Sequence, residues 1–117
     1  MNRTFQQSYH IPGALAADLA IRFTAPTDAT LLHVSAVGSN AHDATLAIGT
    51  PTAAAAHMAA RAIGVSGTPA QFTRAHFVGT QFPRISRGDI IALALDHDGA
   101  AGTAAQNVTL VLTFAEG

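Results

Sequence analysis

Apolar and polar residues alternate with period two along most of this chain, the pattern of half-buried β-strands. Leu19, Ile21 and Phe23 point one way while Ala20, Arg22 and Thr24 point the other, and Pro26 closes the run. Leu32, Val34 and Ala36 alternate with Leu31, His33, Ser35 and Val37, predicting a second strand that ends at Gly38-Ser39-Asn40. A third covers residues 44–49, with Leu46 and Ile48 on one face. Weaker extended segments lie around Phe72, Phe77, Val78 and Phe82. Clear alternation returns at Ile91, Leu93 and Leu95, and again at Val108, Leu110, Leu112 and Phe114.

Two stretches break the pattern. Residues 1–14 lack a usable period and contain Pro12-Gly13, so they are expected to form an arm lying outside the sheet. Residues 51–61, Pro-Thr-Ala-Ala-Ala-Ala-His-Met-Ala-Ala-Arg, have high helix propensity, with Thr52 as an N-cap and Gly64 as a stop. A short helix or a flexible Ala-rich loop is expected there. Strands spaced this way, without regular helices between them, predict an all-β fold: an antiparallel β-sandwich or jelly-roll-like barrel, with the arm at 1–14 and one domain at 15–117.

Composition sharpens the picture by what it lacks. A chain of 117 residues is one domain, and folding removes roughly two thirds of its extended surface from water. The 49% hydrophobic content is largely alanine, and Leu, Ile, Val and Phe together make up only about a quarter. No cysteine is present, and all the basic residues are arginine, so disulfides, thiolate metal sites, a cysteine nucleophile, Schiff-base chemistry and a Walker lysine are excluded. Residues 1–9 are polar and lack the apolar stretch of a secretory signal, and no run approaches the length of a membrane span. Synthesis in the cytoplasm, without a membrane partner, is the expectation.

Charge is the unusual quantity. Only 11% of residues are charged, against about 25% in ordinary domains, and the net formal charge is -1. Such a surface steers weakly toward nucleic acid and repels other copies weakly, so self-association or a partner surface is expected. Ala20, Thr24, Ala92, Ala94, Thr109, Val111 and Thr113 occupy outward positions where a free monomer would more often carry charge.

No catalytic motif stands out: GxSxG, GxGxxG and HExxH are all missing. The six histidines are His10, His33, His42, His57, His76 and His97, and none has zinc-ligand spacing. Asn40-Ala41-His42-Asp43 and Asp96-His97-Asp98 mix carboxylate with imidazole in loops. If the loops met at one end of a sandwich, Asp43, Asp96 and Asp98 would be the candidate ligands of a divalent ion. Turn chemistry explains the same residues without an ion. A non-enzymatic chain without a cofactor is the expectation. The aromatic-plus-arginine cluster Phe72, Arg74, Phe77, Phe82, Arg84 and Arg87 is read as core packing, with no nucleic acid bound.

Three stretches carry a resemblance: Arg22-Phe23-Thr24-Ala25-Pro26 through His33-Val34-Ser35-Ala36-Val37-Gly38-Ser39-Asn40 to Leu46-Ala47-Ile48-Gly49-Thr50; Phe77-Val78-Gly79-Thr80-Gln81-Phe82-Pro83; and residues 95–105 to Val111-Leu112-Thr113-Phe114. They resemble a family of small virion proteins of tailed bacteriophages, of the capsid decoration or head accessory type, over most of the chain after residue 14. The stretch at residues 51–60, acidic in that family, is Ala-rich here. The resemblance implies a β-rich structural protein that binds and stabilises a preformed capsid. Its implied partners are the major capsid protein and copies of itself, with a trimer expected, and its implied location is the virion surface. Phe5, Tyr9 and Ile11 in the arm, and Ala55 and Met58 in the Ala-rich stretch, are the expected interface residues. The alternative from another class is a carbohydrate- or ligand-binding β-sandwich module with an ion-binding loop pair; it would favour exposed Trp or Tyr, and the chain has no Trp and one Tyr, Tyr9.

Overall fold

The computed structural model describes residues 3–100 and 102–116. Met1, Asn2, Ala101 and Gly117 lie outside the described residues, and with them the ends of the expected arm and domain. Nine strands form: β1 (Thr4–Ala14), β2 (Leu19–Thr24), β3 (Ala29–Val37), β4 (Thr45–Thr50), β5 (Ala53–Ala62), β6 (Ala70–Phe72), β7 (Arg84–Ile85), β8 (Ile90–Asp96) and β9 (Gln106–Glu116). Short 3-10 turns at Arg74–His76 and Val78–Thr80 are the helical segments among the described residues, and no helix there is long and apolar enough to cross a membrane.

The pairings are nested. β4 pairs β5, β3 pairs β6 and β7, β2 pairs β8, and β1 pairs β9, all antiparallel. The chain is in effect one long hairpin folded at residues 51–52 and rolled up, with β9–β3 and β8–β4 pairings closing the roll. Two sheets result, ordered β1-β9-β3-β6 with β7 beside β3, and β2-β8-β4-β5. This nesting is the jelly roll, one of the two architectures expected from the alternation.

Strand periodicity puts the core between the sheets. Val108, Leu110, Leu112 and Phe114 of β9 are buried, opposed by Ile91, Leu93 and Leu95 of β8 and by Leu46 and Ile48 of β4. Phe114 anchors an aromatic group, stacked on Phe5 at 5.1 Å and met edge-on by Phe23 at 6.2 Å. No polar or charged residue is buried among the described residues. In β3 a bulge between Leu31 and His33 shifts the register, so Leu31, not the expected Leu32, joins Val34 and Ala36 inside.

Two expected elements are different in the structure. The N-terminal arm is not outside the sheet: Thr4 to Ile11 pair residue by residue with Ala115 to Val108, forming the edge strand β1. Pro12 and Gly13 fall at a register shift, where an edge tolerates a residue without an N–H and where Gly13 takes a positive φ of 79°. The Ala-rich stretch is neither helix nor loop but the edge strand β5. Thr50 and Ala53 flank a tight turn, with the Ala53 N–H donating to Thr50 Oγ1, and Met58 packs opposite Ile48 with no exposed surface. Cross-strand pairing and one buried anchor override the helix propensity of alanine.

Candidate interaction surfaces

At one end of the roll the β3–β4 loop and the β8–β9 loop do meet, and backbone groups hold them together. Asp43 Oδ2 accepts the Thr103 N–H at 2.8 Å, and the Asp43 N–H donates to the Thr103 carbonyl at 3.0 Å. Gly102 lies so close to this carboxylate that a β-carbon there would collide with it. Asn40 donates to the Ala104 carbonyl and accepts from the Gln106 N–H, each at 2.9 Å. His42 donates from Nε2 to the Gly64 carbonyl at 2.8 Å and accepts the Ala44 N–H at Nδ1, which specifies a neutral tautomer committed to loop structure.

The expected ligands Asp43, Asp96 and Asp98 therefore divide. Asp43 holds the opposite loop, and Asp96 Oδ1 caps a turn by accepting the Asp98 N–H at 2.9 Å. Asp98 sits at φ 46° and its carbonyl accepts the Gly102 N–H. The carboxylate and imidazole groups that converge are instead Asp18, Asp96 and His97, whose candidate ligand atoms lie within 4.8 Å of one another. Asp18 Oδ1 accepts the ring Nδ1–H of His97 at 2.7 Å and its backbone N–H at 3.1 Å. Those two hydrogen bonds, the ring one first, hold the Asp18 carboxyl below its ordinary range. The arrangement latches the β1–β2 corner to the end of β8. Sequence reasoning missed Asp18 because its partner lies 79 positions away and only the Leu19–Leu95 register brings them together.

The two outer faces differ in kind. On the sheet containing β1, outward rows run Gln6–Thr113–His33 and Ser8–Val111–Ser35–Gln71, and His10 pairs with Thr109. Cross-strand hydrogen bonds join Gln6 to Thr113, His10 to Thr109 and His33 to Gln71. These rows carry hydrogen-bonding groups and no formally charged side chain. On the other sheet, Ala20, Ala94 and Ala47 form a row across β2, β8 and β4, which with Ala60 of β5 lines an open depression of about 360 Å³. Of the outward positions read as sparsely charged, Ala92 proves buried, while Ala20 and Thr24 are exposed and Ala94, Thr109, Val111 and Thr113 are partly so.

The two flanks differ more sharply. Where β5 and β6 end the sheets, the 63–69 connection crosses from one sheet to the other, and residues 73–83, which leave β6 and return to β7 of the same sheet, pack against β5. Residues 63–69 bring buried Ile63 and a Val37–Gly64 bridge, and residues 73–83 bring buried Phe77. The Gly64 position tolerates no β-carbon, since one would strike the Thr68 carbonyl. A depression of about 340 Å³ beside the 73–83 segment is lined by Ala56, His57, Val78, Phe82 and Arg84 among others, with Val78 and Phe82 exposed. Burial pushes the His57 imidazole pKa down, partly opposed by Asp89.

Where β1 and β2 end the sheets, only the 15–18 corner crosses. Phe5, Tyr9 and Ile11 of β1 and Leu19, Ile21 and Phe23 of β2 pack against the core but stay partly exposed. Of the expected interface residues, Phe5, Tyr9 and Ile11 thus line an open apolar seam, and Ala55 is exposed on β5. Met58 is not available as a contact: it is fully buried, because it is the one large apolar residue of β5 and the core takes it. Tyr9 lies against Phe23 at 5.8 Å.

No family model and no curated protein matches the chain. Among solved structures, a chain of the "Cyanophage Pam1 capsid asymmetric unit" is similar with a TM-score of 0.56 and 17% identity, covering 99% of this chain and 85% of that one. At that identity the likeness establishes a shared fold along the whole length, in a chain of comparable size.

Proposed function

We propose that the chain is a non-enzymatic structural component of a tailed-phage particle, bound to the capsid shell as an accessory subunit of the decoration type. The observation that carries this reading is the whole-chain likeness to a chain of a phage capsid asymmetric unit. The surface chemistry supports it. A subunit held at many symmetry-related points needs area, backbone and side-chain hydrogen bonds and little net charge, and it needs no reaction centre. The uncharged rows on the outer face of the β1 sheet, the alanine row on the other sheet and the apolar seam between β1 and β2 supply such surfaces. The partners on this reading are the major capsid protein and further copies of the chain, and the site of action is the virion, after synthesis in the host cytoplasm. Phe5, Tyr9, Ile11 and Ala55 are assigned to contacts.

The test is occupancy. Purified protein is mixed with phage heads that lack it, and the heads are sedimented and imaged. Saturable binding at symmetric positions, with a rise in the temperature at which heads lose DNA, is the expected result. Heads that sediment without the protein at a large excess would remove the capsid reading.

A further inference from the structure

We propose that β1 pairs with β1 of a second copy, antiparallel and about a two-fold axis at Gln7, so that the β1 sheets of two subunits become one continuous sheet. The unpaired side of an edge strand offers a row of backbone N–H and C=O groups, and proteins normally guard long edges with charge, proline, bulges or a covering loop. β1 is eleven residues long, with no charged side chain between Thr4 and Ala14. Its Pro12 and Gly13 blunt only the far end and leave Thr4 to Ile11 regular. The other edges are managed: β6 and β7 are three and two residues long, β2 carries Arg22 near its middle, and the 73–83 segment packs against β5.

A second copy fits this edge for three reasons. In an antiparallel pair, residues opposite each other share a face, so a two-fold axis must pass through a residue position. Placed at Gln7, it sets Phe5 opposite the partner's Tyr9 and Tyr9 opposite the partner's Phe5, an aromatic cross-strand pair made twice. It also sets Gln6 opposite the partner's Ser8, with no like charges opposed, and the net charge of -1 adds little repulsion at longer range. Finally, covering the edge also covers the seam behind it. A molecule 42 by 27 by 25 Å has room on that flank for the ~800 Å² per partner of a standard interface. The inference does not depend on the capsid reading, and either can fail alone.

The chain has no native cysteine, so single-cysteine variants report cleanly. At the two-fold axis the facing α-carbons are about 4.5–5.5 Å apart, within disulfide range. Gln7→Cys is expected to form a disulfide-linked dimer nearly completely on mild oxidation, while Ala59→Cys on the opposite flank gives no disulfide-linked dimer. In analytical ultracentrifugation the wild type is expected to sediment as a dimer. The Gln6→Lys, Ser8→Lys double variant, which opposes lysine to lysine twice, should be a monomer with the wild-type circular dichroism spectrum. A wild type that is monomeric at about 1 mM, the weak end of specific association, overturns the proposal. So does a dimer whose Gln7→Cys variant fails to cross-link. If the wild type is a monomer and the lysine variant loses only head binding, the edge belongs to the shell protein and self-pairing is wrong. Should the lysine variant not fold, the cysteine pair decides alone.

Discussion

The flank closed by residues 63–69 and 73–83 and the flank left open between β1 and β2 solve the same problem in opposite ways. A sandwich exposes its apolar interior wherever both sheets end. On the closed flank one sheet-to-sheet crossing and the 73–83 segment packed against β5 cover the gap, and Ile63, Phe72 and Phe77 are exposed by 5% or less. On the open flank six apolar side chains remain half covered, and the strand beside them has no charge to discourage pairing. The difference shows where this chain closes its own interior and where it leaves apolar side chains partly open to solvent.

The largest test of that contrast is a pair of truncations. Phe77→Ala removes a buried ring from the closed flank and should cost about 3–5 kcal/mol, lowering the calorimetric midpoint by well over ten degrees. Asn40→Ala removes two hydrogen bonds that hold the β8–β9 loop in place and should cost about 1–3 kcal/mol in denaturant titration. Tyr9→Ala on the open flank should cost only about 1–2 kcal/mol, measured with the protein dilute enough to be monomeric, because its ring is already partly wet. Equal losses for Phe77 and Tyr9 would abolish the distinction between the flanks.

Two smaller effects depend on pH. His57 beside the closed flank has its folded pKa below the ordinary 6.5, so the unfolded chain takes up a proton first as pH falls. Its contribution is therefore complete above the unfolded value and is lost as pH drops through 6.5 and below, and His57→Gln should flatten the fall in melting midpoint between pH 7 and 5. Asp18 behaves as a depressed carboxyl: its stabilisation is present above the unfolded value of 3.8 and disappears as pH falls through the lower folded value. Asp18→Asn should remove a slight part of the acid sensitivity below pH 4, the smallest effect of the set because the side chain is exposed to solvent.

How much of this was readable in advance varies by element for physical reasons. β8 and β9 were legible because large apolar side chains recur at every second position, opposed by small or polar ones save Ile90 and Val111, and the structure buries the expected set. β1 was not, since Gln7 interrupts the Phe5, Tyr9, Ile11 series and the turn chemistry of Pro12-Gly13 suggests a break; pairing with β9 accommodates both at an edge. β5 was illegible for a different reason: alanine provides no contrast of size or polarity, so its place is decided by the hairpin turn and by Met58. At the end of the roll, the loops rich in Asp, His and Asn stand out by composition, but that they meet, and which carboxylates converge, depends on topology and strand register. Asp18 joins Asp96 and His97 through a pairing that no local signal announces.

The nested pairing of the first strand with the last also sets an order of events during synthesis. Phe5 cannot meet Phe114, nor Thr4 meet Ala115, until β9 has left the ribosome, and contacts so distant in sequence are slow to close. β4 and β5, joined by a tight turn, can pair while the C-terminal half is still being made. Throughout elongation β1 therefore waits with both of its backbone rows unpaired. Of the nine strands, the one translated first is the last to be protected, and nascent chains emerging close together on one message would meet through it before either had finished folding.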